Sequence, residues 1–211
     1  MMEQITSSYI LDYLKNNEIH LASTHAKLCT PIIRRMCQKM WYIIRFGEIK
    51  LCDDMYVLLD IDGVMVPAQS WKRPEFLQDG FPVFSLKSIQ ALQKIINKTD
   101  ATLVLTTSHK SIYSISEWKD IFKLRGISVS ALDRLTANDL NLSRKEEILQ
   151  WYNSGGHSDD QIVIIDDDKS LHALPFDMKQ NLVMTSPMVR LTDELADDAI
   201  SILKAGALAP A

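Results

Sequence analysis

The chain has 211 residues, of which 46% are hydrophobic and 24% charged, and its formal net charge is −4. This composition is ordinary for a globular protein, and the acidic balance argues against a dedicated nucleic-acid binder. Three cysteines form no even disulfide framework, which favours free thiols in a reducing compartment. Because we find neither an apolar run of membrane-spanning length nor a cleaved secretory signal, we expect a cytoplasmic location or secretion by a route that needs no such signal.

The first predicted unit is an N-terminal helical segment over residues 1–50. Apolar residues recur there at roughly helical spacing, for example at Ile32, Ile33, Met36 and Met40. Several lysines and arginines accompany them. We interpret the segment as a helical layer on the core with a solvated basic face. A surface that docks a protein partner or a phospholipid membrane is the alternative.

The second predicted unit, residues 51–205, alternates apolar strands with amphipathic helices. The predicted strands are 55–60, 102–107, 162–166 and 181–184, with a weaker one near 127–130. The predicted helices are 86–98, 111–124, 143–153 and 191–204. This alternation predicts an α/β fold with a doubly wound, Rossmann-like parallel sheet covered on both faces. Ligands of such sheets bind at the carboxyl ends of the strands.

Two aspartates stand at the end of the first predicted strand. The apolar run leads directly into Asp60 and Asp62, and Gly63 follows. Carboxylates at a buried strand end are costly unless a cation or hydrogen bonds compensate them. We expect the chain to turn at Gly63 so that both carboxylates face one point. Such a pair suits Mg²⁺-dependent phosphoryl transfer, with one aspartate as nucleophile and the other as acid and base.

Polar residues also end two later strands. The second strand ends in two threonines at 106–107, and a later one ends in three aspartates at 166–168. Between them, Ser143 and Glu146 form a capping-box pattern. It places Lys145 in the first turn of a helix, where an anion is favoured. Each piece alone is a weak signal, but together and in this order they favour one functional site.

This order of motifs resembles the haloacid dehalogenase (HAD) superfamily, over residues 55 to about 185. Its members have a strand ending in Asp-x-Asp, a second ending in Thr or Ser, a lysine, and a third strand ending in paired acids. The resemblance implies that Asp60 attacks phosphorus and becomes an aspartyl-phosphate, while Asp62 acts as general acid and base. It also implies phosphate binding by Thr107 and Lys145, with Thr106 as the alternative to Thr107.

The resemblance further implies a Mg²⁺ cofactor. Asp60, the backbone carbonyl of Asp62 and Asp167 would hold the ion, with Asp166 in support. A carboxylate that attacks a phosphate dianion meets like charge, at a cost of about 4 kcal/mol for each pair of charges at about 4 Å and an effective dielectric near 20. A divalent cation and a lysine compensate that repulsion. An aspartate at position 62 points to a phosphatase, because the dehalogenases of the superfamily lack it.

The spacing of the motifs bears on the substrate. Asp62 to Thr107 spans 45 residues and Thr107 to Lys145 spans 38, which leaves no room for a large cap domain. The chain therefore resembles capless members, which tend to act on macromolecules. It resembles the phosphotyrosine phosphatases among bacterial effector proteins, which would place it in a host cytosol. It likewise resembles the HAD domains of RNA-repair proteins.

Three functions follow in order of rank. We rank a phosphoprotein substrate first, with phosphotyrosine preferred, because the acidic charge disfavours a strand-binding groove. Trp71, Phe76 and Phe81 could flank such a ring or simply pack their own loop. A polynucleotide or nucleotide phosphate ranks second. A HAD-fold binding module without catalysis, docked through the basic N-terminal helices, ranks third.

Overall fold

The structure is a computed structural model that describes residues 54–67, 74–154, 157 and 161–205. All of these residues belong to one compact unit. The predicted N-terminal helices of residues 1–50 lie outside the described residues, so their proposed basic surface stays a prediction. None of the helices described is both long enough and apolar enough to cross a membrane.

Five strands form one parallel sheet at the centre of the unit. They are β1 (Met55–Leu59), β2 (Thr102–Leu105), β3 (Leu132–Arg134), β4 (Gln161–Asp166) and β5 (Leu182–Met184). Their order across the sheet is β3-β2-β1-β4-β5. Leu58 of β1 pairs with Val104 on one side and Ile164 on the other. The strand order reverses beside β1, and open α/β sheets bind their ligands at such a point.

Helices cover both faces of this sheet. They are α1 (Leu86–Thr99), α2 (Ile115–Leu124), α3 (Arg144–Ser154), α4 (Phe176–Lys179) and α5 (Asp193–Ala205), with 3₁₀ helices at Ser108–Ser111 and Lys169–Ala173. Successive residues of β1 alternate between two buried clusters, because a strand points its side chains to opposite faces. Leu59 packs in the cluster that includes Trp118 of α2, and Leu58 packs with Ile148 of α3. The predicted doubly wound α/β fold is confirmed.

Burial on both faces of the sheet explains why the sequences of β1 and β4 are continuous apolar runs. Leu58, Leu59, Ile164 and Ile165 have no exposed surface. Each fully buried side chain of this kind contributes about 1.5–3 kcal/mol of hydrophobic free energy. The central strands are therefore a stable base for the polar residues that follow them.

The third strand and the second helix differ from their sequence-based predictions. The predicted strand near 127–130 is wrong, because β3 begins only at Leu132. Ile127 is buried, but it belongs to the connection that leaves α2 through Gly126, whose φ is 79°. The helix predicted from residue 111 begins at Ile115, because Ser114 and Glu117 form its capping box.

Candidate functional site

Three acidic side chains meet where β1 and β4 end. Asp60 follows β1 directly and Asp166 is the last residue of β4, so the two parallel neighbours bring them to one edge. Asp60, Asp166 and Asp167 each offer a carboxylate oxygen, and these oxygens lie within 4.8 Å of one another. We call these three residues the carboxylate cluster. Asp60 and Asp166 are buried, whereas Asp167 is half-buried.

A tight turn after β1 lets Asp167 approach. The backbone N–H of Gly63 donates to the Val66 carbonyl at 2.7 Å, and that of Met65 donates to the Ile61 carbonyl at 2.8 Å. Gly63 has a φ of 78°, and a Cβ added to it would overlap the Asp167 carboxylate. Only glycine suits both this conformation and this close approach. The turn predicted at Gly63 is therefore present, although it does not bring the Asp62 side chain into the carboxylate cluster.

Arg144, the first residue of α3, brings positive charge to the cluster. Its Nη2 donates to Asp60 Oδ1 at 2.9 Å, and its Nε lies 3.2 Å from Asp166 Oδ2. Glu147, one turn further along α3, lies 3.5 Å from Arg144 Nη1 through Oε2. The other oxygen of Glu147 accepts from Lys110 Nζ at 2.6 Å. A series of ion pairs, through Glu147 and Arg144, thus connects Lys110 with Asp60.

The capping box predicts Lys145 at this point, whereas the residue that contacts the cluster is its neighbour Arg144. The capping box behind that prediction is present, since the backbone N–H of Ser143 donates to Glu146 Oε2 at 2.8 Å and the N–H of Glu146 donates to Ser143 Oγ at 3.4 Å. Within the described residues, no ion pair joins Lys145 to the carboxylate cluster. Phosphate binding by Lys145 stays a prediction. Arg144 and Lys145 both lie one turn before the buried Ile148, so helical periodicity does not predict which of them faces the cluster.

Asp62 lies in a different environment from Asp60. Its side chain is 44% exposed, and its Oδ2 is 3.2 Å from His109 Nε2. His109 belongs to the 3₁₀ helix after β2, and its ring packs edge-on against Phe81. One aspartate of the pair is therefore buried among acids, and the other is accessible beside a histidine. Two carboxylates in such unlike surroundings are suited to different chemical roles.

Thr106 and Thr107 are both fully buried at the end of β2. The hydroxyl of Thr107 accepts a hydrogen bond from the His109 backbone N–H at 3.4 Å, so it caps the 3₁₀ helix. The hydroxyl of Thr106 has no hydrogen-bond partner among the described residues. These contacts do not assign a phosphate ligand, and Thr107 in that role stays a prediction.

Burial and mutual repulsion oppose ionisation of the carboxylate cluster. Burial, reinforced by the charge on Asp166 and opposed by Arg144, raises the pKa of Asp60 to about 8. Burial also raises the pKa of Asp166 to about 6, against the lowering effect of Arg144, and it raises the pKa of Asp167. Among the described residues, one arginine, Arg144, lies in contact with two of these three crowded acids. The donor set therefore fits a hard divalent cation that binds oxygen. The cluster could therefore hold a divalent metal ion, and Mg²⁺ as that ion stays a prediction.

The comparisons with known proteins agree with this geometry. A family model described as the HAD domain in Swiss Army Knife RNA repair proteins matches residues 56–196, two thirds of the chain, and includes all four motif segments. No curated protein and no solved structure is a match. The described residues between the motifs show no cap domain. The family and the acidic cluster support a phosphohydrolase. The chain belongs to the HAD superfamily, in the family of HAD domains from Swiss Army Knife RNA repair proteins.

Proposed function

We propose that the protein is a Mg²⁺-dependent phosphomonoesterase that removes a terminal phosphate from RNA ends. One observation carries the chemistry: Asp60 lies at the end of the central strand, inside an acidic cluster and 2.9 Å from the Arg144 guanidinium. A nucleophilic carboxylate, a cation and a place for a divalent metal are thus together at one point. The family description, which refers to RNA repair, supports the choice of substrate.

Asp60 is the proposed nucleophile. Its carboxylate oxygen forms a bond to phosphorus while the bond between phosphorus and the ribose oxygen breaks, which leaves an aspartyl-phosphate. Asp62 gives a proton to the departing ribose oxygen and then takes one from the water that hydrolyses the aspartyl-phosphate. The 44% exposure of the Asp62 side chain allows both the leaving group and water to reach it. Inorganic phosphate departs, and Asp60 is regenerated.

The side chains of the carboxylate cluster, with the backbone carbonyl of Asp62, would hold Mg²⁺. The bound ion would neutralise charge on the nucleophile and on the phosphoryl oxygens. Arg144 adds a second positive charge beside Asp60, so a phosphate that approaches there meets less repulsion. We assign Arg144 to the phosphoryl group together with the predicted ligands Thr107 and Lys145.

The case for a phosphotyrosine substrate is weak. Phe81 is 4% exposed and packs edge-on against Phe84 and Trp118, so it belongs to the core and cannot flank a substrate ring. Phe76 is exposed, and Trp71 lies outside the described residues. The family description contains nothing that supports a protein substrate. We therefore place the RNA end, ranked second from the sequence, ahead of the phosphoprotein.

Parallel rate measurements test this assignment. We would compare kcat/KM for 3′-phosphorylated RNA, 5′-phosphorylated RNA, a phosphotyrosine peptide and an aryl phosphate, each with Mg²⁺ and with EDTA. We expect one RNA end to be the best substrate and EDTA to stop every reaction. A faster reaction on the peptide would contradict the RNA assignment. Failure of beryllium fluoride to form a phosphate mimic on Asp60, with no turnover of any substrate, would instead favour a binding module.

A further inference from the structure

A cavity of about 340 Å³ lies beside the proposed site, at the carboxyl end of β3. The loop of residues 135–142 and the first turns of α3 form its walls. Its size is at the lower end of the range for small-molecule pockets. The loop is held in place by Asn138, whose amide accepts from the Leu142 backbone N–H at 2.7 Å and donates to the Leu142 carbonyl at 2.8 Å. These two hydrogen bonds fix the conformation of the loop that lines the cavity.

The position of the cavity relates it to the nucleophile. Glu147 lines the cavity, and its Oε2 is 3.5 Å from Arg144 Nη1. Arg144 in turn contacts Asp60 through Nη2 at 2.9 Å. Two contacts, through the side chains of Glu147 and Arg144, thus connect the cavity wall to the proposed nucleophile. This short connection is what we expect if the cavity receives one part of a substrate whose phosphate lies at Asp60.

The lining combines apolar surface with free polar groups. Leu142 and the buried Leu135 are apolar lining residues, and Leu140 is 72% exposed at the cavity. Asp139 and Gln150 also line it, and neither side chain makes a hydrogen bond or ion pair with another described residue. Apolar faces with hydrogen-bonding groups around them suit a flat ring with a polar edge.

The charges in the cavity favour a base over a phosphate. Glu147 is balanced by Lys110 and Arg144, whereas the Asp139 carboxylate has no cationic partner among the described residues. An unpaired carboxylate repels a phosphate, but it accepts hydrogen bonds from an amino group. Adenine, guanine and cytosine carry an exocyclic amino group, whereas uracil presents carbonyl oxygens instead.

We propose that this cavity binds the base of the terminal nucleotide and that Asp139 favours bases with an exocyclic amino group over uracil. The inference rests on the proposed RNA-end activity and specifies which part of the substrate the protein reads. In this arrangement the base lies between Leu140 and the rest of the lining, while its phosphate reaches Asp60 past Arg144.

The test uses short RNAs phosphorylated at the end that the protein prefers, with a terminal A, G, C or U or with an abasic terminal nucleotide. We expect kcat/KM to fall about tenfold from adenine to the abasic end, with uracil between them. Asp139→Asn should reduce the preference for adenine over uracil, whereas Asp177→Asn, which changes an exposed acid on α4, serves as the matched control.

Equal kcat/KM for abasic and base-bearing ends would overturn the inference. If Asp139→Asn keeps the same preference for adenine over uracil, Asp139 does not take part in recognition of the base. Both outcomes differ from failure of the proposed function, in which the protein hydrolyses an aryl phosphate but no RNA end. The comparison of abasic and normal ends uses the unaltered protein, so a folding defect cannot explain its result.

Discussion

The Arg144 guanidinium donates from Nη2 to Oδ1 of Asp60 across 2.9 Å, although 84 positions separate the two residues in the chain. The contact brings the start of α3 to the end of β1, and it places a permanent positive charge against the proposed nucleophile. Arg144 also lies 3.2 Å from Asp166, so it partly balances two of the three clustered acids.

Arg144→Ala should lower kcat/KM by about 10²–10³ on RNA and aryl phosphates alike, because a charge aimed at the reacting phosphoryl group is lost. Lys145→Ala is the matched variant from the same helical turn, and it should lower kcat/KM by a smaller factor. Steady-state rates on both substrates check the difference. A larger loss in Lys145→Ala would return the anion-binding role to Lys145. Arg144→Lys keeps a positive charge beside Asp60 and Asp166. It therefore shows whether the loss of activity in Arg144→Ala comes from unpaired acids that destabilise the fold.

Asp60→Asn should abolish turnover, since an amide cannot form the aspartyl-phosphate. It also removes one buried acid from the cluster, so the thermal unfolding midpoint in EDTA should stay the same or rise. Activity assays and thermal melts measure the two effects on one sample. Turnover that survives in this variant would disprove the nucleophile assignment.

Gly63→Ala should abolish activity and cost at least about 1–2 kcal/mol of unfolding free energy. The backbone conformation is unfavourable for alanine, and the new methyl group would displace Asp167. Gly80→Ala is the matched control, because Gly80 has a φ of 72° but an added Cβ meets nothing there. Urea unfolding and phosphatase assays compare the two. Full activity in Gly63→Ala would show that the position of Asp167 is unimportant.

Thr107→Val should lower activity by about tenfold or more, because it removes a predicted phosphate ligand and the cap on the 3₁₀ helix. Thr106→Val should leave stability unchanged or improve it, since the buried Thr106 hydroxyl has no partner to lose. Kinetics and thermal melts of both variants provide the comparison. If only Thr106→Val loses activity, then Thr106 is the phosphate ligand.

The metal-free protein should lose stability as the pH rises. Burial raises the pKa of Asp60 to about 8 and that of Asp166 to about 6, above their ordinary value of 3.8. Between about pH 4 and pH 8 the unfolded chain has released protons that the folded chain still holds, so unfolding becomes easier as pH increases. Melting curves in EDTA across this range should show a falling midpoint.

Mg²⁺ should reverse that loss, because it favours the ionised carboxylates. Asp60→Asn should flatten the dependence on pH, since it removes the acid whose pKa is raised most. A midpoint that rises with pH in EDTA would contradict the assigned direction of these pKa shifts.

The part of the fold near the sheet centre could be predicted from the sequence. Apolar runs at residues 55–60 and 162–166 mark strands buried on both faces, and β1 and β4 lie there within a residue or so. The edge strand β3 was harder to predict, because it has only three residues and follows a loop that is itself apolar at Ile127. Local pattern cannot separate a short edge strand from a buried connection.

The sequence by itself determined the family, the sheet and the acids that gather at the strand ends, because parallel neighbours bring their carboxyl ends to one edge. It could not decide between Arg144 and Lys145, since both precede Ile148 by one helical turn. It also could not show that Asp60 is buried while the side chain of Asp62 is 44% exposed beside His109. The basic residue that contacts the cluster and the exposure of each aspartate depend on how α3 and the 3₁₀ helix after β2 pack against the sheet edge. Only tertiary contacts between distant segments fix that packing.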